Sequence, residues 1–210
     1  MKTVTAFVDF DILTYWHAGT GKGAGPEADA LVFRTPAGLP CIPGRTVKGV
    51  LRDAMDRAEA CGELRAGTVV RWLGSDIVQP AADDSEAREA TLESMRFSTQ
   101  EGRLRFDSAV LFDDSGSLVA WEHWAASRQQ ELRHLFARMS STAIDESELA
   151  SDATLRTIEV AVPMKLRARV DGPSDGEWVS ALRAATPFLH SLCSHRHRGY
   201  GRVKVEVVQP

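Results

Sequence analysis

The sequence predicts an α+β protein with a ferredoxin-like βαββαβ core, and three observations lead there. The strongest periodic segments run strand, helix, strand, strand, helix, strand along the chain. Both helical segments carry an apolar stripe on one side, so both pack on one face of an antiparallel sheet. The residues left over, above all 62–102 and 139–154, then fit as insertions into one domain spanning residues 1–210.

Residues 3–14 are β-branched and aromatic, with Val4, Ala6, Val8, Phe10 and Ile12 on one face, and form the first strand. A Gly/Pro-rich stretch from Ala18 to Pro26 reads as a loop, Ala30–Phe33 as a short strand, and residues 36–44 as turns. From Thr46 the period changes to that of a helix, with Val47, Val50, Leu51, Ala54 and Ala58 on one side and a stop near Cys61-Gly62. Residues 80–92 are acidic and poor in apolar side chains, which predicts a solvated loop. Residues 103–112 alternate as a strand, Asp113–Gly116 turn into Leu118–Trp121, and 124–138 form a charged amphipathic stretch. A long β pattern covers 155–170, where Pro163 marks an edge or a bulge. From Trp178 the helical stripe Ala181, Leu182, Ala185, Leu189, Leu192 runs to about Ser194, kinked at Pro187. Residues 200–208 alternate strictly and make the last strand.

Composition narrows the class. With 43% hydrophobic and 26% charged residues in 210, the chain has the makeup of a folded domain and not of a disordered one. No apolar run approaches the roughly 18 residues of a membrane span, and acids interrupt the N-terminal segment where a signal peptide needs its apolar core, so a cytoplasmic protein is expected. Three widely spaced cysteines without a CxxC pair read as reduced, mostly buried thiols, with neither a disulfide framework nor a zinc site. A net charge of −4 argues against a protein that coats nucleic acid non-specifically but leaves room for a local basic track.

Three constellations carry chemistry. The glycine-rich segment Gly19–Gly25 lacks the leading Gly and the Ser or Thr after Lys22 that a P-loop requires, and no helix opens after it, so it is read as a flexible loop that lets backbone approach a ligand. In the second, Arg45, Lys48 and Arg52 share one helix face, two of them in the first turn, where cations oppose the macrodipole and a bound anion would reverse the sign. The alternative is a merely solvated basic face. The third, His195–Lys204, holds six basic or potentially basic side chains in ten residues. Part of it complements the C-terminal end of the preceding helix, while Arg202 and Lys204 share a face of the final strand beyond that reach. Residues 198–203 match the start of the RNA-recognition consensus except that Arg202 replaces the stacking aromatic, which points in this RRM-like core to backbone contact. His195 and His197 lack a third ligand for a metal.

These residues also carry a resemblance. Pro43-Gly44 followed by Thr46-Val-Lys-Gly-Val-Leu-Arg52 resembles the "PGSSLKGxxR" hallmark of the RAMP superfamily of CRISPR-associated proteins. Arg198–Val203 resembles the family's C-terminal glycine-rich loop, Arg105–Ala109 its "rvsDA" segment, and Ile144-Asp145 with Arg156–Val162 its thumb hairpin. The similarity spans nearly the whole chain and is greatest to the repeated backbone subunit of type III effector complexes. It implies a βαββαβ core with a thumb-like hairpin at 139–162, guide RNA and target RNA as ligands, and other effector subunits and head-to-tail copies of the chain as partners. Arg45, Thr46, Lys48, Arg52, Arg196, Arg198, Gly199, Tyr200 and Arg202 would hold guide RNA, and the hairpin would wedge between bases. Glu27–Arg34 matches the context of the family's catalytic acid, which assigns Asp29 as the catalytic residue and as ligand of a Mg2+ shared with RNA. Thr35 stands where that motif has a second acid.

Two readings remain beside an RNA-cleaving subunit. One is a non-catalytic subunit that binds guide RNA, with Asp29 a solvated loop acid. The other is a guide-processing nuclease using a histidine, for which His17 is the candidate.

Overall fold

Alternation along Thr3–Ile12 (β1) sends Ala6, Val8, Phe10 and Ile12 into the interior and leaves Phe7, Asp9 and Asp11 on the opposite face. We describe the protein from a computed structural model, in residues 3–25, 28–75, 99–113, 117, 119–142, 155–194 and 196–210. The acidic segment 80–92, most of the 113–116 turn, Ile144-Asp145 and His195 lie outside these residues.

β1 is the central strand. It pairs antiparallel with Met164–Pro173 (β6), in register from Thr3↔Pro173 to Ile12↔Met164, and on its other side with Val203–Val208 (β7). The far edge of β6 holds Arg105–Phe106 (β2) and Val110–Leu111 (β3), both antiparallel. The sheet order β2/β3–β6–β1–β7 is that of a ferredoxin-like core. The single strand expected over 103–112 is thus two pieces. Phe106 faces Val170 and Val110 faces Arg167, so one extra residue lies on the edge side, a β-bulge. There Ala109 turns away to exchange both backbone hydrogen bonds with Ile42, at 2.8 and 2.9 Å.

Gly44–Ala60 (α1) and Glu177–Ala185 (α4) pack against each other on one sheet face. α1 buries Val47, Leu51, Ala54, Met55 and Ala58, and α4 buries Trp178, Val179, Ala181, Leu182 and Ala185. α4 is shorter than the apolar stripe predicted, because Pro187 has no N–H to continue it and Thr186–Phe188 tightens into a 3-10 turn. Leu189 and Leu192 are still buried, but from irregular backbone. Thr68–Leu73 (α2) lies within the predicted 62–102 insertion and packs on α1.

The amphipathic stretch 124–138 does not form one helix. Val119–Ser127 (α3) ends early, a 3-10 turn covers Leu132–Leu135, and the chain becomes extended at Phe136. Phe136–Ser141 (β4) pairs with Arg156–Ala161 (β5) as a separate two-stranded sheet, and residues 143–154 between them lie outside the described part. The β pattern 155–170 therefore belongs to two sheets, broken at Pro163, where the ladder loses a donor. Trp16, fully buried, joins them: its backbone exchanges hydrogen bonds with Ala161 and its Nε1 donates to the Val162 carbonyl at 3.0 Å.

Cys41, Cys61 and Cys193 are unpaired thiols, although Cys61 is exposed. Burial pushes the Cys41 thiol up to about 11. Among the described residues no helix is long and apolar enough to cross a membrane.

Gly201 precedes β7 with φ +68°, and a Cβ there would overlap the Leu192 carbonyl oxygen. Gly201→Ala should destabilise the protein by about 1–3 kcal/mol, the range for a strained backbone residue. The check is urea unfolding, in which the midpoint should fall; an unchanged midpoint would refute the steric argument.

Candidate nucleic-acid interface

The N-terminus of α1 is fixed by the bulge. The Gly44 N–H donates to Ser108 Oγ at 3.3 Å, and a Cβ on Gly44 would collide with the Phe106 carbonyl oxygen, so only glycine lets the helix start this close to the edge strand. Pro43 provides no side-chain cap, and no acid stands in the first turn. Positive macrodipole and basic side chains therefore coincide, with Arg45 exposed. Thr46 is half-buried and faces the cleft described below. Lys48 leans the other way, its Nζ 3.2 Å from where a Cβ of Gly102 would stand.

Arg52 has a different employment from the one its spacing suggests. Its Nη2 donates to the carbonyls of Leu73 and Gly74 at 2.8 and 2.9 Å, capping the C-terminal end of α2. This guanidinium ties the insertion to α1.

The C-terminal glycine-rich loop is built on the end of β1. Thr14 Oγ1 donates to the Gly199 carbonyl and accepts from the Arg202 N–H, both at 3.0 Å, and the Gly201 N–H donates to the Tyr15 carbonyl at 2.8 Å. Gly199 takes φ +80°. Arg196, Arg198 and Arg202 are exposed on this scaffold, and Tyr200 is half-buried. Arg196 reaches to 3.8 Å from Asp53 of α1 and lies close enough to Cys193 to oppose, without overcoming, the burial that raises that thiol to about 12.

The glycine segment 19–25 is not a free loop. Thr20 N–H donates to Leu31, Leu31 N–H to Lys22, Ala24 N–H to Ala28 and Phe33 N–H to Ala18, so 18–24 and 28–33 form an antiparallel hairpin. Its return arm lies parallel against β5, with Ala30 beside Ile158. Asp29 is clamped there. Its N–H donates to the Thr157 carbonyl, and its Oδ2 accepts the Thr157 N–H, both at 2.7 Å. The side chain is exposed, and among the described residues Oδ1 accepts no hydrogen bond. Sequence reading missed Glu159, which holds this arm: its Oε2 accepts the Val32 N–H at 3.0 Å and its Oε1 pairs with Arg34 at 2.6 Å. The available signal was an acid inside an otherwise apolar β pattern.

His17 is buried, its Nδ1 donating to the Glu159 carbonyl at 2.6 Å and its Nε2 against Gly19. The hairpin, α1 and the residues 193, 194 and 196 that lead into the glycine-rich loop meet around a cleft of about 460 Å³ lined by Gly19, Gly21, Ala30, Thr46, Val50 and Arg196 among others. Of the predicted RNA ligands, Thr46 and Arg196 face it together; Arg45, Arg198 and Arg202 are exposed on the same two elements, and Lys48 and Arg52 turn toward α2. On the open sheet face the basic side chains Arg105, Lys165, Arg167, Arg169 and Lys204 are interleaved with the acids Asp9, Asp11, Asp171 and Glu206. There Arg167 grips Asp9 through two 2.6 Å hydrogen bonds, which raise its pKa further, and Asp171 accepts from Thr5 and Arg169.

A dedicated magnesium cage is not part of this arrangement, since no three His, Cys, Asp or Glu side chains converge among the described residues. Asp29 Oδ1 is a single carboxylate oxygen, and magnesium requires six oxygens.

Comparison with solved structures finds this fold in CRISPR assemblies. A chain of the Type III-B Cmr-beta cryo-EM structure in the apo state aligns with TM-score 0.67 and 14% identity over 98% of this chain and 97% of that one. A chain of the Type III-B Cmr-beta cryo-EM structure bound to cognate target RNA aligns with TM-score 0.57 and 16% identity over 99% of this chain and 61% of that one. Comparison with curated protein sequences gives no match. The RAMP superfamily sequence model matches residues 9–204, from the middle of β1 into β7, and by that match the chain belongs to the RAMP superfamily.

Proposed function

We propose that the chain is a guide-RNA-binding backbone subunit of a CRISPR ribonucleoprotein effector complex, that it assembles head to tail with its own copies and with other effector subunits, and that it cleaves complementary target RNA at Asp29. The observation that carries the reading is a cleft where the uncapped start of α1 and Arg196 meet the hairpin, with the glycine-rich loop pinned by Thr14 following Arg196 in the chain and Asp29 next to the cleft-lining Ala30. Backbone N–H groups and exposed cations suit phosphates, and the similarity to a chain of a target-RNA-bound assembly supports RNA as the polyanion. The β4–β5 hairpin, beside which Asp29 is fixed, would wedge between bases.

In the cleavage step Asp29 Oδ1 accepts the proton of a 2′-hydroxyl, the 2′-oxygen bonds to the adjacent phosphorus, and the P–O5′ bond breaks. The products are a 2′,3′-cyclic phosphate and, after protonation by water, a 5′-hydroxyl. A magnesium ion, if RNA phosphates and waters complete its shell, would neutralise phosphate charge. The second reading, a non-catalytic subunit, is favoured by one observation: Asp29 already serves the fold, holding Thr157 through two hydrogen bonds.

Arg45→Ala with Lys48→Ala should weaken binding of guide RNA and flatten its salt dependence by about 0.7 in log–log slope for each phosphate left unneutralised. An unchanged slope removes the phosphate assignment.

For Asp29 the informative variant is Asn, which keeps an acceptor for the Thr157 N–H and removes the charge. In the reconstituted complex Asp29→Asn should lower single-turnover cleavage about 10²–10⁴-fold, the usual loss for a general base, with target affinity unchanged. Equal cleavage by both proteins leaves the structural role as the only one.

A further inference from the structure

A second site lies at the root of the β4–β5 hairpin, on elements the cleft does not use. It is a cavity of about 450 Å³ lined by Arg34, Arg133, Arg138, Leu132, Phe136 and Glu159 among others. The Arg34 guanidinium carbon lies over the Phe136 ring, 3.8 Å from its centroid, and the group is tethered by Glu159 at 2.6 Å. Glu159 spends its other oxygen on the Val32 N–H, so its charge is committed to the wall. Among the described residues, Arg34, Arg133 and Arg138 line the cavity together with the single carboxylate of Glu159.

From this we infer that the cavity is a nucleotide site: a base stacks on the free face of Arg34, and its phosphate is held by Arg133 and Arg138. Each part has a physical reason. A guanidinium held over an aromatic ring by a carboxylate is a preorganised platform that costs little side-chain ordering when a base arrives. Arg133 and Arg138 are exposed and line the cavity, and their fork geometry suits phosphate oxygens. Arg138 is two residues from Phe136 on β4 and in register with Glu159 on β5, so the ring of the platform and the phosphate ligand share one face of one strand. The volume is in the range of small-molecule sites. The site also has a fixed relation to Asp29, whose anchor Thr157 is two residues from Glu159 on the same strand, roughly 7 Å at the strand rise. A nucleotide seated here would therefore hold an RNA strand within reach of that carboxylate. This use of the site rests on the RNA-cleaving reading; the binding of a nucleotide does not.

The test titrates the full chain with adenosine 5′-monophosphate and, separately, with a ten-residue oligoadenylate. Four proteins are compared: wild type, Arg133→Gln/Arg138→Gln, Phe136→Leu, and Arg45→Ala/Lys48→Ala. The monophosphate should bind wild type and the Arg45/Lys48 variant equally and lose about tenfold in affinity in each of the other two, the low end of what one base stack or one charged phosphate contact contributes. Thermal melting identifies any variant that fails to fold, and the two surface arginine substitutions keep the comparison valid if Phe136→Leu does. An oligoadenylate that binds more tightly than the monophosphate and is displaced by it assigns the site to a strand, whereas equal affinities assign it to a free nucleotide. Equal monophosphate binding by wild type and the Arg133/Arg138 variant, or none by wild type, overturns the site. If the Arg45/Lys48 variant instead retains full affinity and salt slope for guide RNA, the cleft reading fails and the nucleotide site stands.

Discussion

Every polar group of Glu159 is committed to a different part of the chain. One carboxylate oxygen holds the Val32 amide and the other Arg34; its carbonyl accepts from His17, and its own N–H donates to the Ala30 carbonyl. With its side chain only 12% exposed, the charge would be costly without these partners, and with them it fixes where the hairpin arm can lie. The position of Asp29 follows from it, because the arm carrying Asp29 has no helix or regular strand of its own. The Arg34 platform follows too, since the same carboxylate orients that guanidinium on Phe136. Two chemically distinct places are thus set by one residue that touches neither a phosphate nor a base.

The start of α1 shows a second economy. Its first turn has no acid and no capping side chain, an arrangement that isolated helices avoid. It is stable here because the bulge supplies Ser108 Oγ to Gly44 and because α1 is held by the core through Val47 and Leu51. The helix end can therefore remain electropositive without unravelling. An electropositive helix end is obtained by omitting local stabilisation where tertiary packing makes it dispensable.

Much of this was legible in the chain. β1, α1 and β7 follow from unbroken periods, and the ferredoxin-like order follows from the sequence of those periods. What escaped reading was set by backbone atoms or by distant partners. The β pattern of 155–170 keeps its alternation through Pro163, so nothing in its spacing announces that the halves join different sheets. The leucines after Ala185 continue a helical stripe because burial requires them, although the backbone is no longer helical. Arg52 had the spacing of a phosphate ligand, but its partners are the carbonyls of Leu73 and Gly74, and main-chain acceptors leave no trace in a sequence. Asp29 was placed by motif similarity; that its carboxylate also clamps Thr157, 128 residues further on, is a property of the fold alone.

The central position of β1 has a consequence in time. Its two neighbours, β6 and β7, are the last strands of the sheet to be synthesised, and β7 begins at Val203. At about 5–20 residues per second, β1 waits roughly 10–40 s for its second partner. Until β6 is complete at Pro173, a strand with Phe7, Val8, Phe10 and Ile12 has both hydrogen-bonding edges open, and one stays open until β7 follows, the condition under which nascent chains pair with the wrong strand. Asp9 and Asp11, placed two residues apart on the face that stays outside the core, give that waiting segment negative charge before Arg167 has been made to neutralise any of it. Acids that later lie opposite β6 are thus gatekeepers during synthesis, protecting the strand on which the rest of the sheet is assembled.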